Sequence, residues 1–180
     1  QLAYDERFAV ERHGDLYYSL RGNLRNPTKV IVTFPGSGPS ASRVSYAVSY
    51  MQQLDAADLA HTAVLCFQDR YGVAGTYMCY DDRGEDLRGR VEGEIAALLA
   101  RFGLRSDALM LFGASKGATI ALRYASAFPE ARLVVAVPQL SLPYYFSKPF
   151  FHRNLGLADR AMQSPPVGDL LRSYITEGRS

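Results

Sequence analysis

Four short apolar runs recur along the chain, at 29–34, 62–67, 108–112 and 132–137, the first of them largely β-branched, and each gives way to a polar, proline- or glycine-containing stretch. Continuous runs of that length predict strands buried on both faces of a parallel sheet. Between the second and third runs, Leu87, Val91, Ile95, Leu98, Leu99 and Phe102 fall three and four residues apart. That spacing predicts an amphipathic helix over 85–102, with Gly103 as its terminator. A second helix is predicted over 117–128, with Ile120, Ala121, Tyr124 and Phe128 facing inward and Pro129 stopping it. A third is expected over 42–54, with Val44, Ala47, Val48 and Met51 on one face. Ahead of these elements, apolar segments at 8–11 and 16–20 flank His13-Gly14-Asp15, the pattern of a β-hairpin. Beyond Pro138 the periodicity weakens into an aromatic stretch, Leu140 to Phe151, broken by Pro143 and Pro149, and a short helix is expected near 169–176.

Alternating strands and helices after a hairpin predict a mostly parallel sheet with helices on both faces. The third buried run ends in Gly113-Ala114-Ser115-Lys116-Gly117 and leads into a helix. Gly-x-Ser-x-Gly between a strand and a helix is the pattern of a nucleophile elbow, in the position an α/β-hydrolase fold requires. The fold class expected is therefore α/β-hydrolase-like, in one domain over 1–180. Such a fold ordinarily has further strands whose loops carry an acid and a histidine, so the chain is expected to be a piece of a longer protein lacking the last strands.

Composition narrows the chemistry. The 180 residues, 48% hydrophobic and 21% charged, suit one globular core rather than disorder. A formal charge of +2 gives no case for nucleic acid, and no apolar run approaches the ~20 residues of a membrane span. Cys66 and Cys79 form no disulfide framework or zinc-ligand spacing, so a reduced cytoplasmic setting is expected, with no metal and no cofactor.

Ser115 is the candidate nucleophile. A serine hydroxyl needs a base for its proton and donors for the oxyanion that forms. The expected donors are the backbone N–H of Lys116 and the loop Gly36-Ser37-Gly38 after the first buried run. The Lys116 side chain is expected to face solvent or substrate, because adjacent side chains at a turn diverge. Asp69, at the end of a buried run, is expected to hold a neighbouring loop through backbone N–H groups, with Arg70 pairing locally. Gly36 to Ala41 also matches a dinucleotide-binding G-x-G-x-x-A. Against that rival, Pro39 removes an N–H where phosphate would bind, and Asp69 lies further on than the fingerprint's acid. The base is the weak point. His152 alone follows Ser115, with Glu130 the only acid between them, while His13 and His61 read as surface histidines.

The segments Thr33-Phe34-Pro35-Gly36, Phe67-Gln68-Asp69-Arg70-Tyr71-Gly72 with Gly75-Thr76-Tyr77, Phe112 to Ala118, and Ala136-Val137-Pro138-Gln139 stand in one order. That order, over 30–145, resembles the XcbB/CpsF-type capsular polysaccharide biosynthesis family. It is more distantly similar to the glycan O-acetyltransferase of the accessory secretory system. The resemblance implies an α/β-hydrolase fold, Ser115 as nucleophile, an acyl donor, a carbohydrate acceptor and association with glycan-synthesis machinery. The reading is serine-dependent acyl transfer on a surface glycan, as O-acetyltransferase or esterase. The alternative is a non-catalytic hydrolase-like scaffold that binds a glycan or a protein.

Overall fold

The computed structural model describes residues 2–37, 51, 53–71, 75–142, 144 and 147–149, with side chains described from residue 5 onward. Helix α1 (Leu2–Phe8) precedes strands β1 (Glu11–His13), β2 (Leu16–Gly22), β3 (Lys29–Phe34) and β4 (Thr62–Gln68). Helix α2 (Arg88–Arg101), a 3-10 turn (Ser106–Ala108), strand β5 (Leu109–Ala114), helix α3 (Lys116–Ala125) and strand β6 (Arg132–Ala136) follow. The hairpin is present, but Phe8 belongs to a helix rather than to its first strand. Ala9, at φ 47°, turns the chain into β1, and Asp5 is held by Arg70, just past β4 (3.0 Å from Nη1 to Oδ2). A tertiary ion pair of that kind leaves no trace in local periodicity.

The six strands form one sheet in the order β1-β2-β4-β3-β5-β6. β2 is antiparallel to β1 and β4, whereas β4, β3, β5 and β6 are parallel. The order explains the layering. The chain steps from β3 outward to β4, then crosses back past β3 to β5 and on to β6. Right-handed crossovers in opposite directions must lie on opposite faces. α2 and α3, which lead in the second direction, accordingly share one core with Val30, Val32 and Phe34 of β3, Leu65 and Phe67 of β4, and Leu109 and Leu111 of β5. Phe34 stacks on both Phe67 and Tyr124, with ring centroids 5.6 Å apart in each case. Side chains of this size stabilise the fold by about 1.5–3 kcal/mol each when fully buried. The opposite face carries a second cluster of Leu59, Val64 and Cys66 with Ile31 and Leu54. That is the face where the β3-to-β4 connection belongs. The helix expected at 42–54 lies largely outside the described residues, as does the one near 169–176.

β6 is less buried than its sequence predicts: its side chains alternate between exposed and half-buried, with Val134 44% exposed. A run of apolar residues has the same appearance in a central strand and in a strand that, among the described residues, has one neighbour. Among the described residues no helix is long and apolar enough to cross a membrane.

Candidate functional site

Among the described elements, β3 is the parallel strand whose outgoing connection runs in the direction opposite to those through α2 and α3, and so belongs on the opposite face. A crevice opens at such a switch point, outside the carboxyl ends of the strands, where open α/β sheets bind their ligands. The residues delivered there are Pro35, Gly36 and Ser37 after β3, Asp69 and Arg70 after β4, and Ser115 after β5. Gly38 lies outside the described residues, as do residues 39–41 of the alternative dinucleotide motif. Gly36 is buried and Ser37 is exposed.

Ser115 occupies the single residue between β5 and α3, at φ 53° and ψ −119°. A residue with a Cβ reaches that conformation only when its surroundings over-determine it. Three contacts do so. The Ser115 N–H donates to the Ala136 carbonyl at the end of β6 (2.9 Å), and the Ser115 carbonyl accepts from the N–H groups of Ala118 (3.0 Å) and Thr119 (3.2 Å). The glycines on either side are required by space. A Cβ on Gly113 would run into the Gly117 carbonyl, and one on Gly117 into the Phe34 carbonyl of β3. The turn is thus pressed against the end of the neighbouring strand, with the serine partly exposed at its apex.

The Lys116 side chain does not face solvent or substrate. It is fully buried, and its Nζ lies 3.0 Å from Oδ2 of an equally buried Asp69. Helical side chains lean toward the N-terminus of their helix, which sends the ammonium at the start of α3 back under the turn, where the carboxylate past β4 receives it. Asp69 does hold its own loop as well, since Oδ1 accepts the N–H of Thr76 (3.0 Å). Arg70 does not pair locally: its guanidinium donates to Asp5, 65 residues earlier, and lies over the Tyr17 ring, 4.8 Å from its centroid.

A polar network missed by sequence reasoning extends this arrangement to β6. The Tyr77 hydroxyl donates to Oε1 of Gln139. The Gln139 backbone is clasped by Thr119, whose hydroxyl donates to the Gln139 carbonyl (3.0 Å) and accepts its N–H (2.9 Å). Tyr77 and Met78, at φ 57° and 50°, are both in the left-handed region, and the Met78 carbonyl accepts from the Tyr124 hydroxyl (2.6 Å). Burial pushes that hydroxyl's pKa well up, so it remains a donor. The available signal was a polar residue, Gln139, at the end of an apolar run.

No histidine among the described residues reaches Ser115. His13 lies on β1, four strand spacings from β5, or about 19 Å at ~4.8 Å per spacing. It stacks on Tyr18. His61 precedes β4, at the opposite end of the sheet, where its carbonyl accepts the N–H groups of Thr28 and Lys29. Glu130 also sits at that opposite end, bonded to the Ser106 hydroxyl (3.0 Å). His152 lies outside the described residues.

No protein-family model matches the chain, and no curated protein matches it. Solved structures do. The capsule O-acetyltransferase of Neisseria meningitidis serogroup A superposes with a TM-score of 0.59 at 18% identity, over 92% of this chain and 63% of that one. The glycosylation-associate protein (Gap123) complex of Streptococcus agalactiae gives 0.56 at 16% identity, over 93% and 33%. An S-formylglutathione hydrolase of Agrobacterium tumefaciens gives 0.52 at 15% identity, over 80% and 60%. The chain therefore spans under two thirds of each neighbour's length. At these identities the likeness is one of fold, and the fold is α/β-hydrolase-like.

Proposed function

We propose that this chain carries the nucleophile of a serine-dependent acyl-transfer enzyme acting on a carbohydrate, as O-acetyltransferase or esterase. The backbone of Ser115 carries this reading. A serine held at φ 53° and ψ −119°, between two glycines with no room for a side chain and at the sheet's switch point, is what a nucleophile elbow supplies. In this reading Ser115 Oγ attacks the acyl carbonyl while a base takes its proton. The resulting oxyanion is held by the N–H of Lys116 and by amides of the loop Gly36-Ser37-Gly38, where loss of one donor costs about 10²–10³ in rate. Collapse expels the donor's leaving group, protonated by the conjugate acid of the base. A sugar hydroxyl or water then takes the acyl group from Ser115. His152 is the candidate base that this chain offers.

The structural neighbours support the choice of acceptor and donor. Two concern capsule O-acetylation and glycosylation, and a variant of the capsule enzyme has been captured with CoA. In this reading the donor is an acyl thioester, the acceptor is a surface glycan, and the chain works in association with glycan-synthesis machinery. A fluorophosphonate probe should label Ser115 in the native protein, and Ser115→Ala should abolish both labelling and acyl transfer. A folded protein that is never labelled there sinks the proposal. The second reading, a non-catalytic glycan- or protein-binding scaffold, draws on the lack of a histidine or unengaged acid beside Ser115 among the described residues. It expects Ser115→Ala to leave biological function intact.

A further inference from the structure

We propose that Lys116 and Asp69 are positioning residues: their buried ion pair sets the conformation of the Ser115 turn, and is retained for that geometry rather than for stability. The inference rests on the acyl-transfer reading for its kinetic consequence, but not for its structural one.

Both side chains are 0% exposed, and Nζ and Oδ2 stand 3.0 Å apart. Burying two charges is costly, and well-packed apolar residues in the same place are often equally stabilising or more so. The pair's location suggests what it does instead. Lys116 is the residue after Ser115, so its own N–H is the proposed oxyanion donor, and whatever anchors its side chain also fixes the tilt of that peptide. The anchor lies across the sheet. Asp69 follows β4, Ser115 follows β5, and β3 runs between them, so the pair ties the turn crosswise past the strand end against which Gly117 is pressed.

The same pair orders a second strained segment. Asp69 Oδ1 accepts the Thr76 N–H, and a Cβ on Gly75, at φ 80°, would collide with both Asp69 Oδ2 and Lys116 Nζ. Two residues on, the Tyr77 hydroxyl holds Gln139, past the end of β6, and the Ala136 carbonyl that ends β6 receives the Ser115 N–H. One charge pair thereby couples the chain segments after β4, β5 and β6. Strained backbones persist only where such surroundings over-determine them.

The test replaces both charges at once, as Lys116→Met with Asp69→Leu, in the full chain. The double variant should unfold cooperatively at a temperature at or above that of the unsubstituted protein. Its kcat for p-nitrophenyl acetate should fall about 10²-fold, the scale of a misplaced catalytic group, with KM changed by less than about twofold. Asp69→Asn, which keeps the volume and an acceptor for Thr76, should lower kcat in the same sense, again without a change in KM. In Asp69→Asn, where residue 116 is unsubstituted, the amide ¹H–¹⁵N resonances of Lys116 and Gly117 should move. A double variant that does not fold would show the pair to be needed for stability, and overturns the proposal. So does one whose kcat stays within about twofold of the original, or an Asp69→Asn variant in which the Lys116 and Gly117 amide resonances stay in place. If the unsubstituted protein shows neither Ser115 labelling nor turnover, the acyl-transfer reading fails instead, and the resonances alone decide the positioning role.

Discussion

At Ser115 the cost of function is stored in two backbone angles. A side chain at φ 53° and ψ −119° carries strain on the order of 1–3 kcal/mol, which glycine escapes. Ser115→Gly should therefore be more stable than Ser115→Ala by about 1 kcal/mol or more, measured as the difference in chemical-denaturation free energy. Equal stabilities would show the turn to be relaxed. Cys79 offers a contrasting residue-level test. It is buried, and burial is the main reason its thiol is pushed up to about 11. Near neutral pH it is protonated and shielded, so a maleimide should react with it only after unfolding. Rapid labelling of the native protein would contradict the burial.

Between elements, the turn works because α3 comes unusually close to β3. Gly117→Ala places a methyl group against the Phe34 carbonyl. The rearrangement should cost about 1–3 kcal/mol, read as a lower urea midpoint, and should reduce phosphonate labelling at Ser115. The link from α3 to the end of β6 depends on one hydroxyl that donates and accepts at Gln139. Thr119→Val keeps the shape and deletes both bonds. With buried partners left unsatisfied it should destabilise the protein by about 1–3 kcal/mol. A loss under about 0.5 kcal/mol would mean that water replaces the hydroxyl.

Across the whole molecule, a chain of charges links the hairpin turn, the segment before α2, and α2 itself. Arg90 bridges Asp15 (2.6 Å) and Glu85 (2.6 Å), and both Arg83 and Arg90 reach Asp81 (3.4 Å each). Burial alone would raise the Asp81 carboxyl, but the N–H groups of Glu85 and Arg83 and the Arg83 guanidinium outweigh it and hold it below its ordinary range. A depressed carboxylate stabilises the fold above its unfolded pKa of about 3.9, and that contribution is lost as pH falls through the lower folded value. The stability gap between the native protein and Asp81→Asn should therefore be widest near about pH 6 and close as pH falls below ~3.9. Urea midpoints across that range provide the check, and a constant gap would remove the carboxylate's charge from the account.

Much of this protein was legible without coordinates. The strand at 29–34 and the amphipathic face of α2 follow from periodicity, because buried positions must repeat with the geometry of their element. The Gly-x-Ser-x-Gly turn follows as well, because crowding there leaves no room for a Cβ at Gly113 or Gly117. Three things needed the tertiary structure. β6 reads as a fully buried strand because apolar content does not record how many neighbours a strand has. Phe8 joins a helix because Asp5 finds Arg70, 65 residues away. Lys116 reads as a cation facing solvent or substrate because local sequence does not record that Asp69, 47 residues earlier at the end of another buried run, lies two strands across the sheet. Local pattern determines which residues are buried and where the chain turns; the pairing of distant charges under the serine is decided only when the strands take their order.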